Sequence, residues 1–236
     1  MYSQDLRYQH DNANLIGYIT YDETIAKPRP AVLIAHDWTG RNDFACQKAM
    51  AFAQLGYVGF AIDMFSNGTL GKNNDEKAQL IKPLVSDRQL MRDRITAALN
   101  CLREQKQVDD QRIAAIGFCF GGMCVLDLAR TGADLKGVVS FHGLLNPANL
   151  ANANITAKVL ALHGYDDPMA TPEQMLVFTN EFTAAGADWQ LHAYGNTKHA
   201  FTNPLANDPS FGTVYDATAA KRSWQAMLNF FEEIFV

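Results

Sequence analysis

The stretch Gly117-Phe118-Cys119-Phe120-Gly121-Gly122 decides the fold. It follows the apolar run RIAAI (112–116) and precedes MCVLDLAR (123–130), which has the composition of a helix. A glycine two residues before and two residues after a nucleophile is the pattern of a nucleophile elbow, a strained turn between a strand and a helix. Larger side chains at the two glycine positions would clash in that turn. The stretch therefore predicts that Cys119 is a nucleophile in the position where serine is more common.

The other cysteines of the chain lack this frame of glycines. A free cysteine is most often a small buried apolar side chain, and we expect that packing role for three residues: Cys46, Cys101 and Cys124. Cys119 differs because its thiol would lie at a helix N-terminus, where the helix dipole favours the thiolate. Four cysteines without a C-x-x-C pair predict neither a disulfide scaffold nor a zinc site.

Apolar runs of strand length recur on both sides of the elbow. They are AVLIAHDW (31–38), GYVGFAID (56–63), LKGVVSFHG (135–143), AKVLALHG (157–164) and the more polar DWQLHAY (188–194). Runs without polar alternation are typical of strands that are covered on both faces. Ahead of them, LRYQH (6–10) and LIGYITY (15–21) flank the turn residues DNAN and predict a strand pair.

Helical spacing of apolar residues separates these strands. The four sets are Phe44, Phe52 and Leu55, ended by Gly56; Ile95, Leu99 and Leu102; Met175, Phe178 and Phe182, after Thr171-Pro172; and Trp224, Leu228, Phe231 and Phe235. Strands that alternate with helices predict an α/β fold, with a mainly parallel twisted sheet and helices on both faces. Without repeats or linker-like segments, residues 1–236 are predicted to form a single domain.

Composition excludes several classes of protein. Lys and Arg number 20 against 25 Asp and Glu, a net charge of −5, which argues against a nucleic-acid partner. No apolar run is long enough for a transmembrane helix, and the polar start lacks the apolar core of a secretory signal. We therefore expect a cytoplasmic protein without a membrane partner. The segment SNGTLGKNNDEK (66–77) either borders a ligand crevice or is a plain surface loop.

A thiol nucleophile needs a base, and on this fold the chain order is nucleophile, acid, histidine. His199 lies beyond the last strand and is the predicted base, whereas His192 lies inside that strand and has a structural role. Three histidines, His36, His142 and His163, precede the required position and are expected to bond to loops.

The acid should follow the strand AKVLALHG, where Asp166 and Asp167 both qualify. An acid at this point would hold the imidazole tautomer and stabilise the imidazolium. Pro168 biases Asp167 towards an extended backbone, but this bias does not choose between the two carboxylates.

Five motifs, spread over nearly the whole chain, resemble those of a known enzyme family. They are AHDWTGRNDF (35–44), GFCFGG (117–122), HGYDDP (163–168), YGNTKHAFTNP (194–204) and AAKRSWQAMLNFF (219–231). In these motifs the chain resembles the dienelactone hydrolases, which are α/β-hydrolase enzymes with a Cys-His-Asp triad. The resemblance implies hydrolysis of a small-molecule ester or lactone through a thioacyl-enzyme, without a metal or organic cofactor.

The same resemblance implies roles for individual residues. Cys119 would be the nucleophile, His199 the base and Asp167, the residue before the proline, the acid. The backbone N–H groups of Phe120 and Trp38 would form the oxyanion hole. The ring of Trp38 is also a candidate pocket wall, with ordinary packing as the alternative.

Two positions depart from the family pattern. Asp37 stands where those enzymes have a Glu that helps to activate the thiol, so the charge is kept on a shorter side chain. Asn203 stands where they have an Arg that grips the substrate carboxylate, and it offers no charged fork. The candidate replacement cations are Arg88, Arg92 and Arg94.

Two other functions remain open at this stage. A triad of this kind also suits a thioesterase or deacylase. A reactive Cys119 also suits a redox-sensing or binding protein with little hydrolysis, because a thiolate is readily oxidised. The oligomeric state cannot be read from the sequence, which offers no long coiled-coil seam.

Overall fold

The computed structural model describes residues 1–235, which fall into two compact units divided at Ile116–Gly117. The first unit contains strands β1 (Tyr2–His10), β2 (Ala13–Tyr21), β3 (Arg29–Ala35) and β4 (Val58–Ala61), most of β5 (Val108–Phe118), and helices α1 (Asp43–Gln54), α2 (Asn74–Ser86) and α3 (Arg88–Arg103). This division does not test the prediction that residues 1–236 form a single domain, which stays a prediction.

The sheet of the first unit has the strand order β1-β2-β4-β3-β5. Strands β1 and β2 form the predicted antiparallel hairpin, with Tyr2 opposite Tyr21 and a turn at Asp11, whose φ is 48°. Strand β2 pairs antiparallel to β4, and β3 pairs parallel to β4 with Ala31 opposite Val58. The residues of β3 from Ala31 to Ala35 are buried, as their continuous apolar run predicts.

The second unit begins with the last two residues of β5. It continues through α4 (Phe120–Arg130), β6 (Gly137–Phe141), β7 (Lys158–Gly164), α5 (Pro172–Ala184), β8 (Trp189–Tyr194), β9 (Asn207–Asp208), β10 (Thr213–Val214) and α6 (Ala217–Ile234). Strands β6, β7 and β8 are parallel neighbours, with Gly137 opposite Lys158 and Val159 opposite Trp189. The predicted fold class, a mainly parallel sheet with flanking helices, is confirmed.

Local signals at the helix ends are also confirmed. Helix α1 is followed by Gly56 at φ 90°, a conformation that glycine adopts without steric cost. Helix α5 has Thr171 at its N-cap, a capping box with Gln174, and Pro172 in its first turn. No helix within residues 1–235 has the length and apolar character needed to cross a membrane.

Helix α2 was missed by the sequence reasoning, as were the two-residue strands β9 and β10. It takes in residues 74–77, which the sequence assigned to the loop segment 66–77, and its N-cap Asn73 accepts the N–H of Glu76. Its only buried residue is Leu84, and Pro83 lies inside it, so no apolar stripe marks it as a helix.

The buried face of α6 is also displaced from the predicted one. Of the four predicted residues Phe231 is buried, whereas Trp224, Leu228 and Phe235 are only half-buried. The other buried apolar side chains in the second half of the helix are Met227, Phe230 and Ile234. The predicted stripe therefore overlaps the buried face at Phe231, but most of that face lies one residue earlier in the sequence.

Candidate active site

The elbow at Cys119 has the strained geometry that its sequence predicts. Cys119 adopts φ 56° and ψ −117°, directly between β5 and the first residue of α4. A Cβ added to Gly117 would lie 2.0 Å from the carbonyl oxygen of Gly121, so a larger residue would force the turn apart. The half-buried Cys119 donates its backbone N–H to the carbonyl of Phe141, over 3.0 Å.

Gly122 is a further requirement of the elbow. A Cβ at this position would lie 2.6 Å from both the Cα of Gly143 and the Oγ of Ser140. The absence of a side chain lets helix α4 approach the end of strand β6. The elbow motif explains Gly117 and Gly121, but this third glycine reflects a contact between distant parts of the chain.

Asp167 and His199 form a buried pair in the second unit. Nδ1 of His199 and Oδ2 of Asp167 are 2.7 Å apart, and the exposed fractions of the two residues are 1% and 2%. The N–H of Met169 donates to Oδ1 of Asp167 over 2.8 Å, which fixes the carboxylate. Asp166 is exposed, so of the two candidate acids only Asp167 lies against His199.

The electrostatic environment of His199 favours the imidazolium. Burial alone lowers the pKa of His199, but the charge interaction with Cys119 and the hydrogen bond to Asp167 raise it to about 10. The backbone holds the ring in place: His199 donates to Gly212 over 3.1 Å and accepts from Val214 over 3.0 Å. Cys119, Asp167 and His199 are thus brought together by the ends of β5, β7 and β8, the carboxyl edge where α/β sheets carry their sites.

Comparison with known proteins identifies the family. Residues 16–235 match the model of the dienelactone hydrolase family. The chain belongs to this family. Its members act on small-molecule substrates, and the protein is a carboxylic ester or lactone hydrolase.

Three relatives illustrate the breadth of the family. A dienelactone hydrolase-like promiscuous phosphotriesterase from metagenomic libraries is 40% identical, with a TM-score of 0.95 over 100% of this chain and 99% of its own. A probable 2-oxo-3-(5-oxofuran-2-ylidene)propanoate lactonase of Bradyrhizobium sp. is 28% identical over 84% of this chain and 82% of its own. A carboxymethylenebutenolidase of Pseudomonas sp. (strain P51) is 26% identical over 84% of each chain.

In this dienelactone hydrolase family member His36, His142 and His163 bond to loop residues, as predicted. His36 bonds to the carbonyl of Asp37 over 2.6 Å and to the N–H of Met64 over 3.1 Å. His163 bonds to the carbonyl of Ala170, and His142 to the hydroxyl of Thr202. Burial lowers the pKa of both His36 and His163. His192 is exposed on β8.

Cysteines other than Cys119 have unreactive surroundings. Cys124 is buried, as predicted, whereas Cys46 and Cys101 are half-buried. Burial raises the pKa of the Cys46 thiol and raises that of Cys101 to about 11, so neither is a thiolate at neutral pH. Across residues 1–235 no group of three His, Cys, Asp or Glu side chains is arranged to hold a metal ion.

The two departures from the family pattern have defined contacts. Asp37 accepts the N–H of Thr39 at its Oδ1 over 2.7 Å. Asn203 accepts the N–H of Leu205 at its Oδ1 over 3.0 Å, so this oxygen is committed to the turn of its own loop.

In the first unit, segment 66–77 packs against the loop that carries Trp38. Gly71 donates its N–H to the carbonyl of Thr39 over 2.9 Å, and Nζ of Lys77 lies 5.4 Å from the ring centre of Trp38. The segment therefore borders a loop that the family resemblance implicates in catalysis, rather than being a plain surface loop.

The three candidate cations lie in helix α3. Arg94 donates to the carbonyl of Met64 over 2.7 Å, and burial lowers the pKa of its guanidinium. It lines an open groove of about 430 Å³ together with His10 and Asp11. Arg92 is buried and Arg88 is half-buried.

Proposed function

We propose that the protein hydrolyses a carboxylic ester or lactone with Cys119 as nucleophile, His199 as base and Asp167 as the orienting acid. The observation that carries the proposal is the buried 2.7 Å contact between His199 and Asp167, in an imidazole that also interacts with Cys119. An imidazole that is paired on one side and influenced by a strained cysteine on the other suits nucleophilic catalysis.

The first half of the reaction forms a thioacyl-enzyme. Nε2 of His199 takes the proton of Sγ, and the Cys119 thiolate attacks the carbonyl carbon, whose π electrons move to its oxygen. The backbone N–H groups of Phe120 and Trp38 stabilise this oxyanion; each such donor is worth about 3 kcal/mol in the transition state. The carbon–oxygen bond of the ester then breaks, and the alcohol leaves with the proton from His199.

The second half regenerates the thiol. His199 takes a proton from a water molecule, whose oxygen attacks the thioacyl carbon. The carbon–sulfur bond breaks, the carboxylic acid leaves, and Cys119 recovers its proton from His199. Asp167 remains ionised throughout and stabilises each imidazolium. In this proposal Asp37 assists formation of the thiolate through its negative charge.

Asn203 affects whether the preferred substrate carries a carboxylate. Its amide NH₂ can donate a hydrogen bond, but it cannot form the charged, two-pronged contact that Arg makes with a carboxylate. We therefore propose that an uncharged ester or lactone is bound at least as well as one with a carboxylate. In an Asn203→Arg variant KM should fall for a carboxylate-bearing dienelactone and stay unchanged for p-nitrophenyl acetate. The same KM for the dienelactone in the variant and in wild type would contradict this.

A phosphotriester is the second candidate substrate. The relative that is 40% identical over the full chain is described as a promiscuous phosphotriesterase. In the corresponding reaction the Cys119 thiolate would attack phosphorus, and the aryloxide leaving group would depart. A thioesterase and a redox-sensing protein remain alternatives, and a cytoplasmic setting, which keeps thiols reduced, is part of the proposal.

Turnover of a substrate panel tests the proposal. The panel contains p-nitrophenyl acetate, a dienelactone, an acyl thioester and a p-nitrophenyl phosphotriester. Wild type and Cys101→Ala should hydrolyse the ester and lactone equally well, because Cys101 lies in helix α3 with a raised thiol pKa. Cys119→Ala should lose at least about 10³-fold in kcat/KM. Equal rates for wild type and Cys119→Ala would refute the mechanism, and preference for the thioester would reassign the substrate.

A further inference from the structure

His142 occupies an unusual position behind the proposed base. It directly follows β6, is only 2% exposed, and has a positive φ of 39°. A histidine in this region of backbone space costs free energy relative to an ordinary conformation. Such a conformation persists only where the surrounding contacts hold it in place, and these contacts involve the loop that carries His199.

Three contacts join His142 to that loop. Its Nε2 is 2.7 Å from Oγ1 of Thr202, three residues after His199, in a buried hydrogen bond. Its ring also meets the imidazole of His199 edge to face, with ring centres 5.2 Å apart and an angle of 64°. The ring of Phe201 lies 5.1 Å from that of His142 on the same loop. The His142 side chain therefore contacts both the base and the backbone segment that follows it.

The segment around His142 is tied to the elbow as well. Phe141 accepts the backbone N–H of Cys119, and Gly143 approaches Gly122 so closely that neither position leaves room for a Cβ. The backbone N–H of His142 donates to Leu162 of β7 over 2.8 Å. The end of β6 is thus fixed to the cysteine on one side and, through His142, to the histidine loop on the other.

We propose that His142 is a positioning residue, which holds the imidazole of His199 at the angle and distance at which Nε2 serves Cys119. The proposal rests on the proposed function of Cys119 and His199. His142 acts through its hydrogen bond to Thr202 and its edge contact with the His199 ring, and takes no proton in the reaction itself. Small losses of alignment between a nucleophile and its base reduce kcat strongly while leaving substrate binding intact.

Substitution of His142 and Thr202 tests the two contacts. His142→Asn suits the positive φ, because asparagine tolerates that backbone, but it removes the ring and is too short to reach Thr202. Thr202→Val keeps the side-chain shape and removes the hydroxyl, and Thr202→Ser restores it. We expect kcat to fall about 10- to 100-fold in His142→Asn and Thr202→Val, with KM within about 2-fold, and Thr202→Ser to recover most of the activity. The matched control is His192→Asn, an exposed histidine on β8, which should behave as wild type.

A spectroscopic measurement separates this proposal from the proposed function. The proton that His199 Nδ1 shares with Asp167 should give a downfield NMR signal, identified by its loss in Asp167→Asn. We expect that signal to shift or broaden in His142→Asn and Thr202→Val, and to stay unchanged in His192→Asn.

Three results would count against one proposal or the other. An unchanged signal together with kcat within about 2-fold of wild type in both variants would overturn the positioning role. Equal kcat values for Thr202→Val and Thr202→Ser would show that the hydrogen bond between His142 and Thr202 does not position His199. This test holds even if His142→Asn fails to fold. A wild type that hydrolyses no ester or lactone would refute the proposed function, and the NMR signal would still decide whether His142 positions the ring.

Discussion

His199 and His163 both lie close to the same carboxylate oxygen, but the pKa values of their imidazoles are shifted in opposite directions. Nδ1 of His199 lies 2.7 Å from Oδ2 of Asp167, and Nε2 of His163 lies 3.6 Å from it, with both rings buried. Burial lowers the pKa of His163, whereas that of His199 rises to about 10 in spite of burial. A shared carboxylate therefore does not decide which histidine becomes charged.

The difference arises from burial and from the other groups that contact each ring. His199 interacts with Cys119, and this charge interaction is the largest contribution that raises its pKa. His163 instead bonds to the neutral carbonyl of Ala170, and the nearby His199 lowers its pKa further. The surroundings of His199 thus favour its protonated form. Those of His163 favour the neutral form, which bonds to the loop that follows Asp167.

The largest expected effect follows from removing the shared charge. Asp167→Asn keeps the shape of the side chain but withdraws the carboxylate that raises the pKa of His199. We expect kcat/KM to fall about 10³- to 10⁴-fold, as in other triads that lose their acid. The alkaline limb of the remaining activity should move to lower pH, because the imidazolium is less stable. Steady-state kinetics between about pH 5 and 10 measure both changes, and an unshifted limb would show that Asp167 does not set the His199 pKa.

Replacement of His163 should affect stability rather than catalysis. His163→Phe fills the same buried space but leaves the carbonyl of Ala170 without its donor, which costs about 1–3 kcal/mol in the free energy of unfolding. The value of kcat should stay within about 3-fold of wild type. Urea unfolding and ester hydrolysis measure the two quantities, with the exposed His192→Phe as control. A loss of kcat comparable to that of Asp167→Asn would make His163 part of the proton-transfer machinery.

The sequence anticipated the elbow because its constraint is local. Gly117 must lack a side chain because a Cβ there would meet the backbone of Gly121, only four residues away, and the capping signals of α5 are equally short in range. Asp167 could not be separated from Asp166 by spacing, because the choice depends on where each carboxylate points after β7. The resemblance to the family indicated Asp167, and the burial of its side chain against His199 agrees.

Features that depend on distant contacts were missed. Gly122 matters because it meets Gly143, and His142 matters because it meets a loop 60 residues away. Helix α2 escaped detection for a different reason, since it buries only Leu84 and contains Pro83. Amphipathic spacing reveals helices that bury a stripe of side chains, and a helix without one leaves little trace in the sequence.

The smallest expected effect concerns the free energy of unfolding, to which His199 and His163 should contribute with opposite pH dependence. His199 has a raised pKa when folded, so its contribution to stability is full below about pH 6.5 and is lost as pH rises through about 10. His163 has a lowered pKa, so it costs stability as pH falls below about 6.5. The stability gap between wild type and His199→Gln should narrow towards about pH 10, and that between wild type and His163→Phe towards about pH 5. Urea unfolding across this range checks both, and gaps that change in the same direction would contradict the assignment.

Direct detection of the covalent intermediate is the decisive measurement. Rapid mixing of the protein with excess p-nitrophenyl ester, acid quenching and mass spectrometry should reveal one acyl group per chain, located on the peptide that contains Cys119 and released by hydroxylamine. The adduct should form and decay at rates that account for turnover. Steady turnover with no acyl group on Cys119, or the same turnover by Cys119→Ala, would contradict a thioacyl mechanism in this member of the dienelactone hydrolase family.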